Sequence, residues 1–405
     1  MEEWEGKSRE AEGKAGKTQT ALDALQKELK TIFGLHAKVK QLQQSGKTVY
    51  NFGLGESPFP IPECVVESMR RNAHKREYVG GKGLLLLREQ LSELHHRAEG
   101  LWYSPEQFIV SPGSKELISL VINCFNGDIL LPSPSWLCYQ PMIQISQHRS
   151  FVLPTSFQQQ YKLTPQQLQT VLEQLDRSEG KMLIINSPNN PTGMVYSADE
   201  LAQLGEVCRK YNVLVLSDEI YSHLTFDYGR FATMPQHYPE GTILVSGISK
   251  YLGAGGWRLG YAVFPPALSL FQKAVLTLTT NTYSCVSSPA QYALAETLRD
   301  HHENVHRTAR NGVKILAAMA DYCYSALSSA GCGVHRPDGG LYILPDFDHL
   351  RVGLGSAGLR HCPQMCEDLL ESAESQRNPQ EFVETFCQPT ADGIKKVVEW
   401  TEKYR

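Results

Sequence analysis

The sequence lacks long apolar runs, paired cysteines and an excess of charge of either sign. No apolar stretch among the 405 residues approaches the ~20 needed to cross a bilayer, so we expect no membrane-spanning segment. A formal net charge of −4 gives no basic surface for nucleic acid. The ten cysteines never form a CxxC pair, which indicates reduced thiols and no zinc site. With an acidic N-terminus unlike a leader peptide, these absences predict a cytoplasmic protein that binds neither membrane, nucleic acid nor metal.

The chain is long enough for more than one domain. Its 405 residues correspond to two or three domains of typical size, and a hydrophobic content of 41% is enough for well-packed cores. Residues 1–17, rich in Glu, Lys, Gly and Ala, predict a mobile tail. Helical apolar spacing predicts that residues 18–48 form a helix of a smaller domain. We expect a large domain over 49–290 and a small C-terminal domain over 291–405.

Short apolar strands alternate with helices in the first two thirds of the chain. This alternation predicts an α/β fold in which helices cover both faces of a mostly parallel sheet. Ligands of such sheets bind beyond the carboxyl ends of the strands. The predicted strands are Ile109–Ser111, Asp128–Leu131, Met182–Asn186, Val213–Leu216 and Thr242–Val245, and the predicted helices include Lys115–Phe125 and Asp199–Tyr211.

Beyond residue 290 the pattern changes. We expect a long helical tract, then a strand hairpin around a Gly-Gly turn, then two further helices. The predicted segments are Ala290–Ala320, Arg336–Phe347, Cys362–Ser375 and Gly393–Lys403.

Lys250 is the most informative residue of the chain. It follows the last predicted strand, and Arg258 comes eight residues later. A lysine amine can condense with an aldehyde to a Schiff base, and a nearby arginine can bind an anion. Glycines between them let the backbone approach a ligand closely. The aldehyde and phosphate of pyridoxal phosphate (PLP) fit this pair, although Lys250 alone also fits a solvated surface charge.

Two other strand ends carry side chains that a PLP ring requires. Asp218 follows the strand Val213–Leu216, and a buried carboxylate beside the ring nitrogen would keep that nitrogen protonated. Tyr221 and Asn190 are neutral donors suited to the ring hydroxyl. Taken singly, Asp218 also fits a turn cap, and the other two fit ordinary turn or packing residues.

The phosphate and the ring face have candidates at the remaining strand ends. Gly113, Ser114 and Lys115 stand at a strand-to-helix junction, where backbone N–H groups bind phosphate. Trp136 lies in a loop where its ring can cover a cofactor. A plain turn and a core tryptophan are the alternatives for these residues taken singly. The joint occurrence of one required part at each of five strand ends favours a PLP site.

Three segments resemble motifs of the PLP-dependent class I and II aminotransferases. Asn189–Gly193 is similar to their Asn-Pro-Thr-Gly element, and Ser217–Tyr221 to their Asp-x-x-Tyr element. Ser249–Gly260 resembles the lysine and arginine at the family spacing. The resemblance points to the aspartate aminotransferase-like branch and covers about residues 20–350. It implies fold type I, a three-layer α/β fold around a mostly parallel sheet of the seven-stranded type, with a smaller α+β domain.

The resemblance implies transfer of an amino group from an acidic or aromatic amino acid to a 2-oxo acid, with Lys250 as the catalytic residue. Gly55 resembles the loop that meets the substrate carboxylate. Tyr78 resembles a tyrosine that reaches the neighbouring subunit's phosphate, which implies a homodimer with shared active sites. Lys115 stands where some members with acidic substrates carry a lysine. The implied cofactor-binding residues are Lys250, Asp218, Tyr221, Asn190, Trp136, Gly113, Ser114, Lys115, Ser249, Arg258 and Tyr78, and the implied substrate-binding residues are Gly55, Trp136 and Asn190.

Two positions depart from the family pattern. Three residues before the lysine, relatives carry a serine that contacts the phosphate, and here that residue is Gly247, flanked by Ser246 and Ser249. After the predicted C-terminal helix, relatives continue with a strand and an arginine that clamps the substrate carboxylate. Here residues 371–376 follow that helix without any such strand or arginine. We therefore expect a small domain that lacks a segment near these residues. The late arginines are Arg351, Arg360 and Arg377, and none stands in the expected context.

Two other functions stay open at this point. A PLP-dependent lyase or synthase on the same fold uses the same lysine, and the need for a 2-oxo acid acceptor separates it from an aminotransferase. A PLP-binding but catalytically impaired isoform is favoured by the missing arginine motif.

Overall fold

The α/β prediction is confirmed by a computed structural model, in which the described part of the chain contains a seven-stranded sheet. No helix in that part is both long and apolar enough to cross a membrane. The described residues are 39–46, 52–53, 55–176, 178–227, 231–359, 364–365, 368 and 392–398.

The sheet is parallel except for one strand. Its order is β1-β7-β6-β5-β4-β2-β3, and β7 runs antiparallel to both neighbours. Strands β4 and β6 are buried along their whole length, as expected of a parallel sheet covered on both faces. The carboxyl ends of β2, β4, β5 and β6 therefore meet at one edge. The strands are β1 Phe108–Ser111, β2 Asp128–Ser133, β3 Ser150–Pro154, β4 Lys181–Asn186, β5 Val213–Asp218, β6 Thr242–Gly247 and β7 Gly260–Val263.

Several helices begin at residues that satisfy the unpaired N–H groups of the first turn. Thr164 Oγ1 accepts from the Gln167 N–H at 3.2 Å, and Ser197 Oγ accepts from the Glu200 N–H at 3.2 Å. Helix α3 begins instead at Gly113, whose φ of 96° glycine adopts without steric cost. The helices are α1 Glu63–Asn72, α2 Leu85–Glu99, α3 Ser114–Cys124, α4 Tyr139–Ile145, α5 Pro165–Gln174, α6 Ala198–Tyr211, α7 Ser269–Thr282, α8 Ser288–Asp300, α9 His302–Ser329 and α10 Arg351–Ser356.

Alternating side chains of β2 show the three layers. Ile129 and Leu131 pack with α3, α4 and α7 on one face of the sheet, whereas Leu130 packs with α5 and α6 on the other. Each of these side chains is at most 4% exposed. Burial of one such side chain contributes about 1.5–3 kcal/mol. The core thus lies on both faces of the sheet and holds its strand ends in fixed positions.

The chain divides into two compact units. The larger comprises Gly55–Tyr324 and Val334–Leu344, and it contains the whole sheet. Met1–Leu54, Ser325–Gly333 and Pro345–Arg405 are grouped in the smaller unit, of which only part is described. The domain boundary predicted at residue 290 falls inside the larger unit. The predicted tail 1–17, most of the predicted helix 18–48 and the segment 371–376 lie outside the described residues.

Two predicted segments differ from the structure. Arg336–Phe347 forms no strand hairpin, and its only described pairings are the isolated bridges of Gly339 with Thr225 and of Asp346 with Gly333. Gly339 instead packs closely against a neighbouring loop, because a Cβ there would lie 2.9 Å from Leu224 O. The helical tract predicted beyond residue 290 consists of two helices, because α8 ends at Asp300 and α9 begins at His302.

Candidate active site

The ends of β4, β5 and β6 bring three predicted side chains to one edge of the sheet. Asn186 at the end of β4 pairs in register with Asp218 at the end of β5, and Asp218 pairs with Val245 of β6. Asn186 also binds both loops, because its Nδ2 donates to Asp218 O at 2.8 Å and its Oδ1 accepts from Asn190 N at 2.7 Å. Lys250 follows β6 directly. The sheet therefore gathers Asn190, Asp218 and Lys250.

Lys250 is half-buried, and its amine faces the other site residues. Its Nζ donates a hydrogen bond to Gly55 O and lies 5.7 Å from the centre of the Tyr221 ring. Burial lowers the pKa of Lys250, while the carboxylates of Glu56 and Asp218 act in the opposite direction. A lowered pKa increases the share of neutral amine, the form that attacks an aldehyde.

Asp218 is buried and has a partner that sequence reasoning missed. The Tyr139 hydroxyl donates to Asp218 Oδ2 at 2.6 Å, and the Ile220 N–H donates to Oδ1 at 3.3 Å. Burial raises the pKa of Asp218 to about 6, and the hydrogen bond from Tyr139 is the main opposing influence. The carboxylate thus stays ionised at neutral pH in a buried position. Tyr139 is the first residue of α4, and no local sequence pattern marks it as a partner of Asp218.

The neighbouring carboxyl group, Glu219, points away from the site. It accepts hydrogen bonds from Ser217 Oγ at 2.8 Å and from Thr233 Oγ1 at 2.7 Å. Burial raises its pKa, and the nearby carboxylate of Glu99 acts in the same direction. Because successive side chains of a strand alternate between faces, Asp218 alone of the pair faces the gathered residues.

Three polar side chains meet beside Asp218. The hydroxyls of Tyr221 and Tyr342 are 2.6 Å apart, and the nearby Asn190 side chain lowers the pKa of both phenols. Burial raises the pKa of both phenols, so both remain donors at any working pH. Tyr221 and Asn190 were predicted for the ring oxygen of PLP, whereas Tyr342 was missed, because its segment was predicted to be a hairpin.

The start of α3 forms an anion cradle with Arg258. Arg258 has a positive φ of 55°, and its Nη2 donates to Pro112 O at 2.9 Å. A Cβ on Gly113 would lie 2.2 Å from Arg258 Nη2, and one on Gly260 would lie 2.3 Å from Ser114 N. Glycines at both positions therefore let an exposed guanidinium lie directly beside the N–H groups of a helix start, the combination that binds phosphate.

Gly247, which replaces the expected serine, fits its surroundings. A Cβ at this position would lie 2.9 Å from both Gly260 Cα and Leu259 O, so the close approach of β6 and β7 favours glycine. The buried Ser246 Oγ donates to Glu219 O at 3.3 Å instead of facing the cradle. Ser249 is half-buried next to Lys250, and it is the flanking serine that stays a candidate for the phosphate.

Trp136 and Lys115 lie side by side at the end of β2. Lys115 Nζ is 5.5 Å from the centre of the Trp136 ring and 3.5 Å from Cys138 Sγ. The Trp136 ring packs edge-on against Tyr139, with centroids 5.2 Å apart. Because Tyr139 contacts both residues, Trp136 lies close to Asp218. There its ring is placed to stack on the ring of a bound cofactor.

The remaining predicted residues have varied positions. Gly55 lies against the site through its contact with Lys250, whereas the Tyr78 side chain is 90% exposed. Arg351 forms an ion pair with Asp348 on the surface. Arg360 and Arg377 lie outside the described residues, so the role of the carboxylate-clamping arginine is assigned to none of them.

The gathered residues fit PLP. The cradle at Gly113 offers an anion site, Asp218 offers an ionised partner for a ring nitrogen, and Lys250 offers a nucleophilic amine, all at one sheet edge. Within the described ranges, no three His, Cys, Asp or Glu side chains are placed to hold a metal ion.

Comparison with known proteins also points to an aminotransferase. Residues 47–382 match the family described as aminotransferase class I and II. An aspartate aminotransferase of Geobacillus stearothermophilus is 30% identical over 83% of this chain and 84% of its own length. An aspartate/prephenate aminotransferase of Cereibacter sphaeroides is 32% identical over 79% and 80%. The solved structure of Thermus thermophilus aspartate aminotransferase with maleate has a TM-score of 0.77 at 24% identity, covers 91% of this chain and 96% of that chain, and shows the shared fold.

The fold and the match together define an α/β enzyme of PLP fold type I. The chain belongs to the class I and II aminotransferases. It is a PLP-dependent transaminase, so the prediction of both activity and cofactor is confirmed.

Proposed function

We propose that this aminotransferase takes an acidic amino acid, such as aspartate or glutamate, as amino donor and 2-oxoglutarate as acceptor. The observation that carries the proposal is the exposed ammonium of Lys115, which lies 5.5 Å from the centre of the Trp136 ring. A substrate beside that ring can present its side-chain carboxylate to this cation. Relatives named aspartate and aspartate/prephenate aminotransferases support the same substrate class.

The proposed catalytic group is Lys250. It would hold the cofactor, and its freed amine would then act as the base that takes up the proton of the substrate's α carbon. Bound PLP supplies a ring that withdraws electrons from that α carbon. Burial lowers the pKa of Lys250 and so favours the neutral amine that accepts the proton.

The other site residues have supporting roles in this proposal. Asp218 keeps the ring nitrogen protonated, and Tyr221 and Asn190 donate to the ring oxygen. Arg258 and the N–H groups at the start of α3 hold the phosphate. Each assignment is supported by the gathering of these residues at one edge of the sheet.

A homodimer in the cytoplasm completes the proposal. The Tyr78 side chain is 90% exposed, and such a side chain is available to the active site of a second copy. The described cysteines are all free thiols, in keeping with a reducing compartment. Light scattering of the purified enzyme tests the dimer, and Tyr78→Phe should weaken PLP binding if the tyrosine reaches the partner's phosphate.

Lys250→Ala tests the catalytic assignment. The variant should lose the visible absorbance of lysine-bound PLP and fall at least a thousandfold in turnover, because both the covalent anchor and the proton carrier are gone. Wild-type turnover in this variant would refute the role of Lys250.

Lys115→Ala tests the substrate class. A charge-assisted hydrogen bond contributes about 1.5–3 kcal/mol, so kcat/KM for aspartate should fall roughly 10- to 100-fold. For phenylalanine, which has no side-chain carboxylate, it should stay within about twofold. The matched control is Lys210→Ala, an exposed lysine of α6. Equal losses for both substrates, or a higher wild-type kcat/KM for phenylalanine, would contradict an acidic substrate.

A further inference from the structure

We propose that Tyr342 is a positioning residue of this active site, which strengthens the hydrogen bond from Tyr221 to the ring oxygen of PLP and fixes Gly55 beside the substrate carboxylate. The inference rests on the roles proposed above for Tyr221 and Gly55. It adds a residue from a segment distant in sequence from every motif of the site.

The Tyr342 hydroxyl lies where the two ring-oxygen donors meet. Its oxygen is 2.6 Å from the Tyr221 oxygen, and the two rings are nearly perpendicular with centroids 5.5 Å apart. The nearby side chain of Asn190 lowers the pKa of both phenols. Tyr342 is thus the common neighbour of the two side chains that are proposed to bind the ring oxygen.

The same hydroxyl also packs against the Gly55 backbone. A Cβ built on Gly55 would lie 1.8 Å from Tyr342 Oη, so the tyrosine occupies the space that a side chain at Gly55 would take. The Gly55 carbonyl in turn accepts a hydrogen bond from Lys250 Nζ. One phenol therefore contacts both the donors to the cofactor oxygen and the loop that resembles a substrate-carboxylate site.

The backbone before Tyr342 is held in place by two loops of the site. Asp338 N donates to Gly193 O at 2.9 Å, and Gly340 N donates to Leu224 O at 3.0 Å. A Cβ on Gly193 would lie 2.7 Å from Tyr342 O, which shows how closely this segment packs. Because its backbone is fixed, Tyr342 presents its hydroxyl in a preorganised position.

The direction of the hydrogen bonds determines what Tyr342 does. Each phenol has one proton, so when Tyr221 donates to the ring oxygen, Tyr342 donates to Tyr221. Consecutive hydrogen bonds polarise one another and strengthen each bond by about 10–30%. A stronger donor stabilises negative charge on the ring oxygen and therefore favours the deprotonated form of the lysine-bound cofactor.

Tyr342→Phe removes this hydroxyl and keeps the ring. The pH midpoint of the visible band of lysine-bound PLP should rise by about 0.2–0.6 unit. The KM for the amino donor should rise about threefold or more, because Gly55 loses its support. The matched control is Tyr211→Phe, which loses a surface hydrogen bond to Glu173 of 3.0 Å and should leave both quantities unchanged.

A double-mutant cycle with Tyr221→Phe separates this inference from the function it rests on. Tyr342→Phe should add no shift in the Tyr221→Phe background, because the relay acts through Tyr221. An unshifted midpoint in Tyr342→Phe, beside a shifted one in Tyr221→Phe, overturns the role of Tyr342. No shift in Tyr221→Phe refutes the role of Tyr221 instead. The midpoint is read from bound cofactor only, so the cycle decides even when a variant folds poorly.

Discussion

Tyr139→Phe should make the stability of the cofactor-free protein depend more steeply on pH. Tyr139 donates to Asp218 across 2.6 Å in a site where both side chains are at most 3% exposed. A hydrogen bond to a charged group contributes about 1.5–3 kcal/mol, and one pKa unit corresponds to about 1.4 kcal/mol. Without the tyrosine, the pKa of Asp218 should therefore rise from about 6 by roughly 1–2 units.

The sign follows from proton linkage. The pKa of Asp218 is raised in the folded protein, so the folded state binds the proton more tightly and stability falls as pH rises from the ordinary 3.8 to about 6. In the variant this fall should continue for about 1–2 further units. The loss of unfolding free energy should thus be about 2–4 kcal/mol at pH 8, the sum of the hydrogen bond to the neutral carboxyl group and the contribution of the pKa shift. At pH 5, where the carboxyl group is largely protonated in both proteins, it should be only about 0.5–1.5 kcal/mol.

Urea unfolding of the cofactor-free wild type and variant at pH 5 and pH 8, followed by circular dichroism, measures this difference. Tyr211→Phe is the control, because its hydroxyl donates to the exposed carboxylate of Glu173, and its effect should be small at both values. An equal loss for Tyr139→Phe at the two pH values would refute the reasoning, since the tyrosine would then contribute packing and not stabilisation of a charge.

Three further substitutions test the cradle, the sheet and the core. Gly113→Ala should raise the Kd for PLP about tenfold or more, as measured by fluorescence titration. The new Cβ would lie 2.2 Å from the Arg258 guanidinium, and the φ of 96° disfavours any side chain. Gly247→Ser should destabilise the protein by about 1–3 kcal/mol without tightening PLP binding, because its Cβ would lie 2.9 Å from Gly260 Cα, and a gain in affinity would contradict this. Leu130→Ala should cost about 2–5 kcal/mol of unfolding free energy, measured in urea, because Leu130 is 0% exposed.

The sequence predicted five strands of the described sheet and missed β3 and β7. Continuous apolar runs identified β2, β4, β5 and β6, whose burial on both faces leaves no room for polar residues. Strand β3 was missed because its burial pattern alternates irregularly at the sheet edge. Strand β7 was missed because Gly260 and Tyr261 read as part of the glycine-rich loop after Lys250. Its reversed direction depends on pairing between distant segments, which local pattern does not encode.

Within the site, residues next to a strand end were predictable and residues that reach it from elsewhere were not. Asp218 ends β5 and Lys250 follows β6 by three residues, so topology alone places them at the sheet edge. Tyr139 and Tyr342 arrive from a helix and from a loop, and their roles depend on hydroxyl geometry. The tight fit of Gly247 is likewise visible only once β7 lies beside β6.

The position of β7 also sets when a newly made chain becomes able to hold its cofactor. Edge strand β1 has β7 as its only neighbour in the described sheet, with Phe108 paired to Val263, so it leaves the ribosome long before its partner exists. Pairings between such distant segments form late in folding. Arg258 and Gly260, which complete the cradle around Gly113, stand at the entrance to β7. The phosphate cradle is therefore complete only when β7 lies between β1 and β6, so a chain that ended after Lys250 would carry the lysine without the cradle.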